Sequence, residues 1–216
     1  MVDNIILNNL NLKAFAGAPI GGAPSEVFGC RVVLRKGESC LVEAASGRGK
    51  SSLCSFICGL RSDYEGDIIM ADANMQPLTF NATQLRRNVL AVMFQDLRLF
   101  TELTAMENVW LKNSLTGFKK KKDIKDLFYE LGIGDKMDTP VGKMSFGQQQ
   151  RVALIRALCQ PFDFLFLDEP VSHLDEVNAK NMARILTEEA MRQGAGVVVT
   201  SIGKHLELDY TKKLML

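Results

Sequence analysis

Ala44-Ala45-Ser46-Gly47-Arg48-Gly49-Lys50-Ser51-Ser52 decides the fold. Backbone N–H groups of a tight glycine turn, running straight into a helix N-terminus, form a concave donor site for phosphate oxygens. Lys50 adds a compact positive charge for the β- and γ-phosphates, and the Ser51 hydroxyl suits Mg²⁺. Ser46, Gly47, Arg48, Gly49, Lys50, Ser51 and Ser52 are therefore the candidate nucleotide-binding residues. The reading needs a strand before and a helix after, and Glu38–Glu43 and Ser52–Leu60 are suited to those roles. Ala44 stands where the pattern usually has its first glycine. If that position needs positive φ, alanine costs about 1–2 kcal/mol.

Phe164-Leu165-Phe166-Leu167-Asp168-Glu169 is the second informative string. Its apolar run reads as a strand buried on both faces, and its two acids fall where open α/β sheets place their ligands. Asp168 is the candidate Mg²⁺ holder, and Glu169 the candidate general base that polarises water.

Met144-Ser145-Phe146-Gly147-Gln148 lies between these strings, followed by Gln149-Gln150-Arg151-Val152-Ala153-Leu154-Ile155-Arg156-Ala157-Leu158. With it the chain resembles the nucleotide-binding domains of ABC transporters over nearly its whole length. Met144–Gln148 resembles their signature motif, Gln95 in Val92–Asp96 their Q-loop glutamine, and Ser172-His173-Leu174-Asp175 their D-loop. The resemblance implies an α/β P-loop NTPase of ABC type, with a mixed central sheet flanked by helices and an N-terminal antiparallel portion. It makes residues 1–216 one ATP-binding domain, with a helical subdomain inserted at about 97–142. It further implies that Lys50, Gln95 and Glu169 are catalytic, and that Ser51, Gln95 and Asp168 hold Mg²⁺. Ser145, Gly147 and Gln148 are then expected to complete the ATP site of a second subunit, with Asp175 at the interface. ATP sandwiched between two such subunits, as a homodimer, would drive membrane permease subunits.

Three departures from the family pattern are expected to matter. Phe146 replaces the first signature glycine. The switch histidine is expected after Gly196–Thr200, where alignment on the strand gives Ile202, which cannot donate a hydrogen bond; His205 is the alternative. Phe15 is the candidate aromatic for adenine stacking, with Phe28 as the fallback.

Composition excludes several classes. The chain has 216 residues, 47% of them hydrophobic, and a formal net charge of +1, so no global field favours nucleic acid. The apolar runs are strand-sized, well short of the roughly 18 residues of a membrane span. No apolar core follows basic residues at the start, which argues against a signal peptide. The expected location is cytoplasmic, peripheral on the inner face of the cell membrane through a permease. The five cysteines form no ligand pattern and read as free thiols. Asn4–Leu12 and Val27–Leu34 read as strands, Ala16–Glu26 as a Gly/Pro-rich loop. Ala105–Leu111, Lys122–Leu131 and Val177–Gln193 read as helices. The run Lys119-Lys120-Lys121-Lys122 reads as a solvated face, with contact to anionic lipid as the alternative.

The stretch Gln95–Val109 resembles ATPases of lipoprotein-release, macrolide-efflux and FtsE-type cell-division systems. A regulatory subunit that binds ATP but scarcely hydrolyses it is the alternative, raised by Ile202. A soluble DNA-repair ATPase would need a long insertion that this chain lacks.

Overall fold

The computed structural model describes residues 1–13, 25–171 and 174–216. Among the described residues the strands form two sheets, the expected antiparallel portion and a central sheet that is parallel throughout rather than mixed. The strands β1 (Asn4–Leu12), β2 (Arg31–Arg35), β4 (Tyr64–Ala71) and β5 (Pro77–Leu78) form the antiparallel sheet, in the order β2-β1-β4-β5. A parallel sheet combines β3 (Ser39–Glu43), β6 (Leu90–Met93), β7 (Phe164–Asp168), β8 (Gly196–Ser201) and β9 (Lys212–Met215), in the order β6-β7-β8-β3-β9.

Strand alternation divides the core into two layers. Phe164, Phe166, Val198, Cys40 and Val42 pack toward the antiparallel sheet, together with Leu53, Cys54, Phe56 and Ile57 of α1 (Lys50–Ile57). Leu165, Leu167, Val197, Val199 and Leu41 face the other way, onto α5 (Phe146–Leu158) and α6 (Glu176–Gln193). All five residues of β7 are buried, as the apolar run predicts.

β2 starts later than its apolar pattern suggests. The Ser25 hydroxyl accepts the N–H groups of Val27 and Phe28, and Gly29 turns the chain at φ 73°, so the ladder begins at Arg31. A short turn α2 (Ala82–Gln84), capped by Asn81, continues into a π-helical turn at Leu85–Val89 before β6.

The segment from 97 to 142 holds α3 (Ala105–Asn113) and α4 (Lys121–Glu130), joined by turns. A capping box between Thr104 and Glu107 starts α3, which packs on α5. Lys119 departs from the solvated reading of its run. It is 4% exposed and its ammonium meets Glu189 of α6 at 2.9 Å, while Lys120, Lys121 and Lys122 stay exposed. Burial raises the Glu189 carboxyl, but Arg192 and Lys119 outweigh it and hold the group below the usual carboxylate range.

Candidate functional site

The phosphate loop lies at the C-terminal ends of β3, β7 and β8. Gly47 and Gly49 take positive φ, 75° and 98°, and Gly49 caps α1. A Cβ on Gly49 would also meet Leu12 at 3.0 Å and the Phe28 ring at 3.1 Å, so glycine is required there on two counts. Ala44 is not among the positive-φ residues, and its substitution for glycine carries no backbone penalty.

Lys50 is 4% exposed. Its ammonium donates to Ala44 O and Ala45 O, each at 3.1 Å, and lies 3.5 Å from Glu169 Oε1. Gln95, in the loop just after β6, donates through Nε2 to Glu169 Oε2 at 3.1 Å. Lys50, Gln95 and Glu169, expected from separate motifs, thus meet at one carboxylate. Glu169 has φ 50°, a left-handed conformation that costs a non-glycine residue about 1–2 kcal/mol. Its N–H is tied to Thr200 O at 3.1 Å, which holds that turn in place.

Asp168 is 1% exposed and accepts a hydrogen bond from the Thr200 hydroxyl on the adjacent strand, where β7 and β8 pair Asp168 with Thr200. Thr200 was missed by sequence reasoning. Its signal is a polar residue closing the run Val197-Val198-Val199, in the same place as Asp168 closes its own. The donor set of Ser51, Asp168 and Gln95 consists of hard oxygens, which fits Mg²⁺. Among the described residues no cluster of three or more His, Cys, Asp or Glu could hold a metal alone. A Mg²⁺ ion that shares its coordination with phosphate and water needs no such cluster.

Ser145 caps α5 in a reciprocal box: its hydroxyl accepts the Gln148 N–H, and the Gln148 side chain accepts the Ser145 N–H at 2.9 Å. Arg151 extends this start of α5 toward α6, donating to Gly147 O at 3.1 Å and to Asn178 Oδ1 at 2.8 Å. Asn178 in turn donates from its backbone and side chain to Asp175, which caps α6. These bonds, with help from Arg151, hold the Asp175 carboxyl below its usual range.

Ile202 follows the end of β8 and is 47% exposed. His205 lies edge-on to Tyr210 at 5.4 Å, with Nδ1 3.0 Å from Leu206 O. Phe28 is buried behind Gly49, so the fallback aromatic is a core residue. Phe15, Ser172 and His173 lie outside the described residues.

A separate groove of about 300 Å³ opens beyond Gln95, between the loop after β6 and α3. Arg86, Arg98, Lys112 and Arg156 line it, and no carboxylate does. Arg156 holds the wall by donating to Leu97 O and Arg98 O, both of positive φ, and burial pulls its guanidinium down to about 10. Phe100, Leu111 and Leu115 are large apolar residues left exposed at its rim.

The family model "ABC transporter" matches residues 29–172. The lipoprotein-releasing system ATP-binding protein LolD of Rhodopseudomonas palustris (strain BisB5) is 34% identical over 164 residues, covering 74% of this chain and 71% of that protein. The macrolide export ATP-binding/permease protein MacB of Bartonella quintana is 30% identical over 203 residues; the match covers 92% of this chain but 30% of that protein. Among solved structures, the dimeric, post-hydrolysis ATP-binding cassette MJ0796 bound to ADP and Pi superposes with TM-score 0.73 at 24% identity, covering 91% of this chain and 87% of that one. The chain belongs to the ABC transporter family, in which it is an ATP-binding subunit with ATPase activity.

Proposed function

We propose that this chain powers a membrane complex of the lipoprotein-release or macrolide-efflux kind, as a homodimer that sandwiches ATP. The observation that carries the catalytic part is the single carboxylate contacted by both Lys50 and Gln95. In this reading Glu169 takes the proton of the attacking water. Lys50 leaves its carbonyl partners for the γ-phosphate, and Ser46 to Ser52 cradle the β-phosphate. Ser51, Asp168 and Gln95 hold Mg²⁺, which when bound neutralises charge on the phosphates. The Thr200 hydroxyl fixes Asp168 for that role. Ser145 and Gly147 act on the ATP of the second subunit. Family membership and this cluster favour a hydrolysing subunit over the regulatory alternative.

The permease is assigned to the groove beyond Gln95. Exposed apolar residues beside four cations, of which Arg98 is paired with Asp96, suit an amphipathic segment that carries acids. The groove wall is the loop that follows Gln95, so docking there would bear on the Glu169 contact. No helix among the described residues is long and apolar enough to cross a membrane, and the proposed place is the inner membrane face, held by the permease. The test is size-exclusion chromatography of Glu169→Gln with ATP and Mg²⁺. A dimer is expected; a monomer at high concentration would remove the sandwich reading.

A further inference from the structure

The loop that leaves β8 carries a cation used by none of the motifs above. β8 ends on Ser201, which is buried, and its last carbonyls already serve the site. Thr200 O takes the Glu169 N–H, and Ser201 O takes the Ala44 N–H at 3.1 Å. The Ser201 hydroxyl donates to Lys204 O at 2.6 Å and closes a turn in which Gly203 has φ 92°. That turn delivers the Lys204 ammonium to Leu174 O at 2.8 Å. Leu174 directly precedes Asp175, the cap of α6. Lys204 therefore joins the strand end that supports Asp168, Glu169 and the phosphate loop to the segment expected at the dimer interface.

The neighbouring residues of the loop do not compete for this task. Ile202 has no donor and is 47% exposed, and the His205 ring is taken up by Leu206 O and Tyr210. Asp175 is already held from its other side by Asn178 and, through it, by Arg151. Without Lys204, Asp175 would keep its ties to Asn178 and Arg151, but Leu174 would lose its side-chain tie to the β8 loop.

We propose that Lys204 is a positioning residue for ATP hydrolysis, holding the approach to Asp175 in register with the catalytic carboxylates through Leu174 O. The proposal rests on Asp175 facing a second subunit, as proposed above. The contact is one charge-assisted hydrogen bond near the surface, so its loss is expected to lower turnover about 3–10-fold. The bond makes no contact with the phosphate loop, so the KM for ATP is expected to stay the same. A guanidinium can also donate to a carbonyl, so arginine is expected to replace lysine.

The experiment measures kcat, KM for ATP and the thermal midpoint of the full chain carrying Lys204→Met or Lys204→Arg. Support is a lower kcat in Lys204→Met with unchanged KM and midpoint, recovered in Lys204→Arg. A wild-type kcat in Lys204→Met overturns the proposal. So does a fall in kcat that tracks a fall in midpoint, or one that arginine does not recover. Glu169→Gln with ATP separates the two ideas. If that variant stays monomeric the dimer reading falls, while the kcat comparison still decides whether Lys204 positions the site.

Discussion

The end of the parallel sheet and the start of α5 both carry nucleotide motifs, yet they treat their side chains in opposite ways. At the sheet, Lys50 and Asp168 are buried, and the charges of Lys50 and Glu169 answer each other within the chain. At α5, the side chains of Ser145 and Gln148 are bonded to each other's backbone N–H, Ser145 is exposed, and Phe146 is 40% exposed. One region is a pocket with its own electrostatics; the other is a capped helix end that lies at the surface. A helix start favours an anion that comes to it. The contrast fits a chain that holds one nucleotide and offers a surface to another.

The predictions test that contrast, beginning with the sheet side. Lys50→Ala removes the ammonium that bridges the loop carbonyls and Glu169, and ATP affinity should fall roughly 10²–10⁴-fold, the worth of one or two charge-assisted bonds. Calorimetric titration giving wild-type affinity would mean that the loop binds nothing through Lys50. Glu169→Gln keeps the shape and the Gln95 contact but loses the proton acceptor; steady-state turnover should drop about 10²–10⁴-fold with ATP still bound.

The α5 side predicts the reverse pattern. Ser145→Asp retains an oxygen that can cap the helix, so the thermal midpoint should hold while ATP-driven dimerisation is lost, because a carboxylate would face phosphate. If light scattering still shows the dimer, α5 does not face a nucleotide. Ile202→His is the smallest expected effect: the side chain is half exposed past the strand end, and turnover measured by phosphate release should stay at the wild-type level. A clear gain would show that the chain gives this position a catalytic task that its exposure conceals.

The motifs were legible because their chemistry is local. A phosphate loop, an apolar strand ending in acids and a capped helix are each written in consecutive residues. Four strands, β4, β5, β6 and β9, were not read from the sequence. β4 has a mostly exposed half, Tyr64–Asp67, and shows no steady alternation. β9 is Lys-Lys-Leu-Met, a strand only because β3 lies beside it. Lys119 read as one of four solvated lysines because its partner Glu189 is 70 positions away. Thr200 and Lys204 were passed over for the same reason: each acts through a residue that only the fold brings near.

Gly49 has a consequence beyond the shape of its loop. Leu12 and Phe28, which crowd its missing Cβ, come from β1 and from the turn before β2. The antiparallel sheet is therefore a mould into which the nucleotide loop is pressed, and the set of the loop's amides depends on side chains that never meet a phosphate. Evolution or an engineer could tune nucleotide affinity from there, by loosening the aromatic wall behind the loop and leaving every residue of the motif as it is.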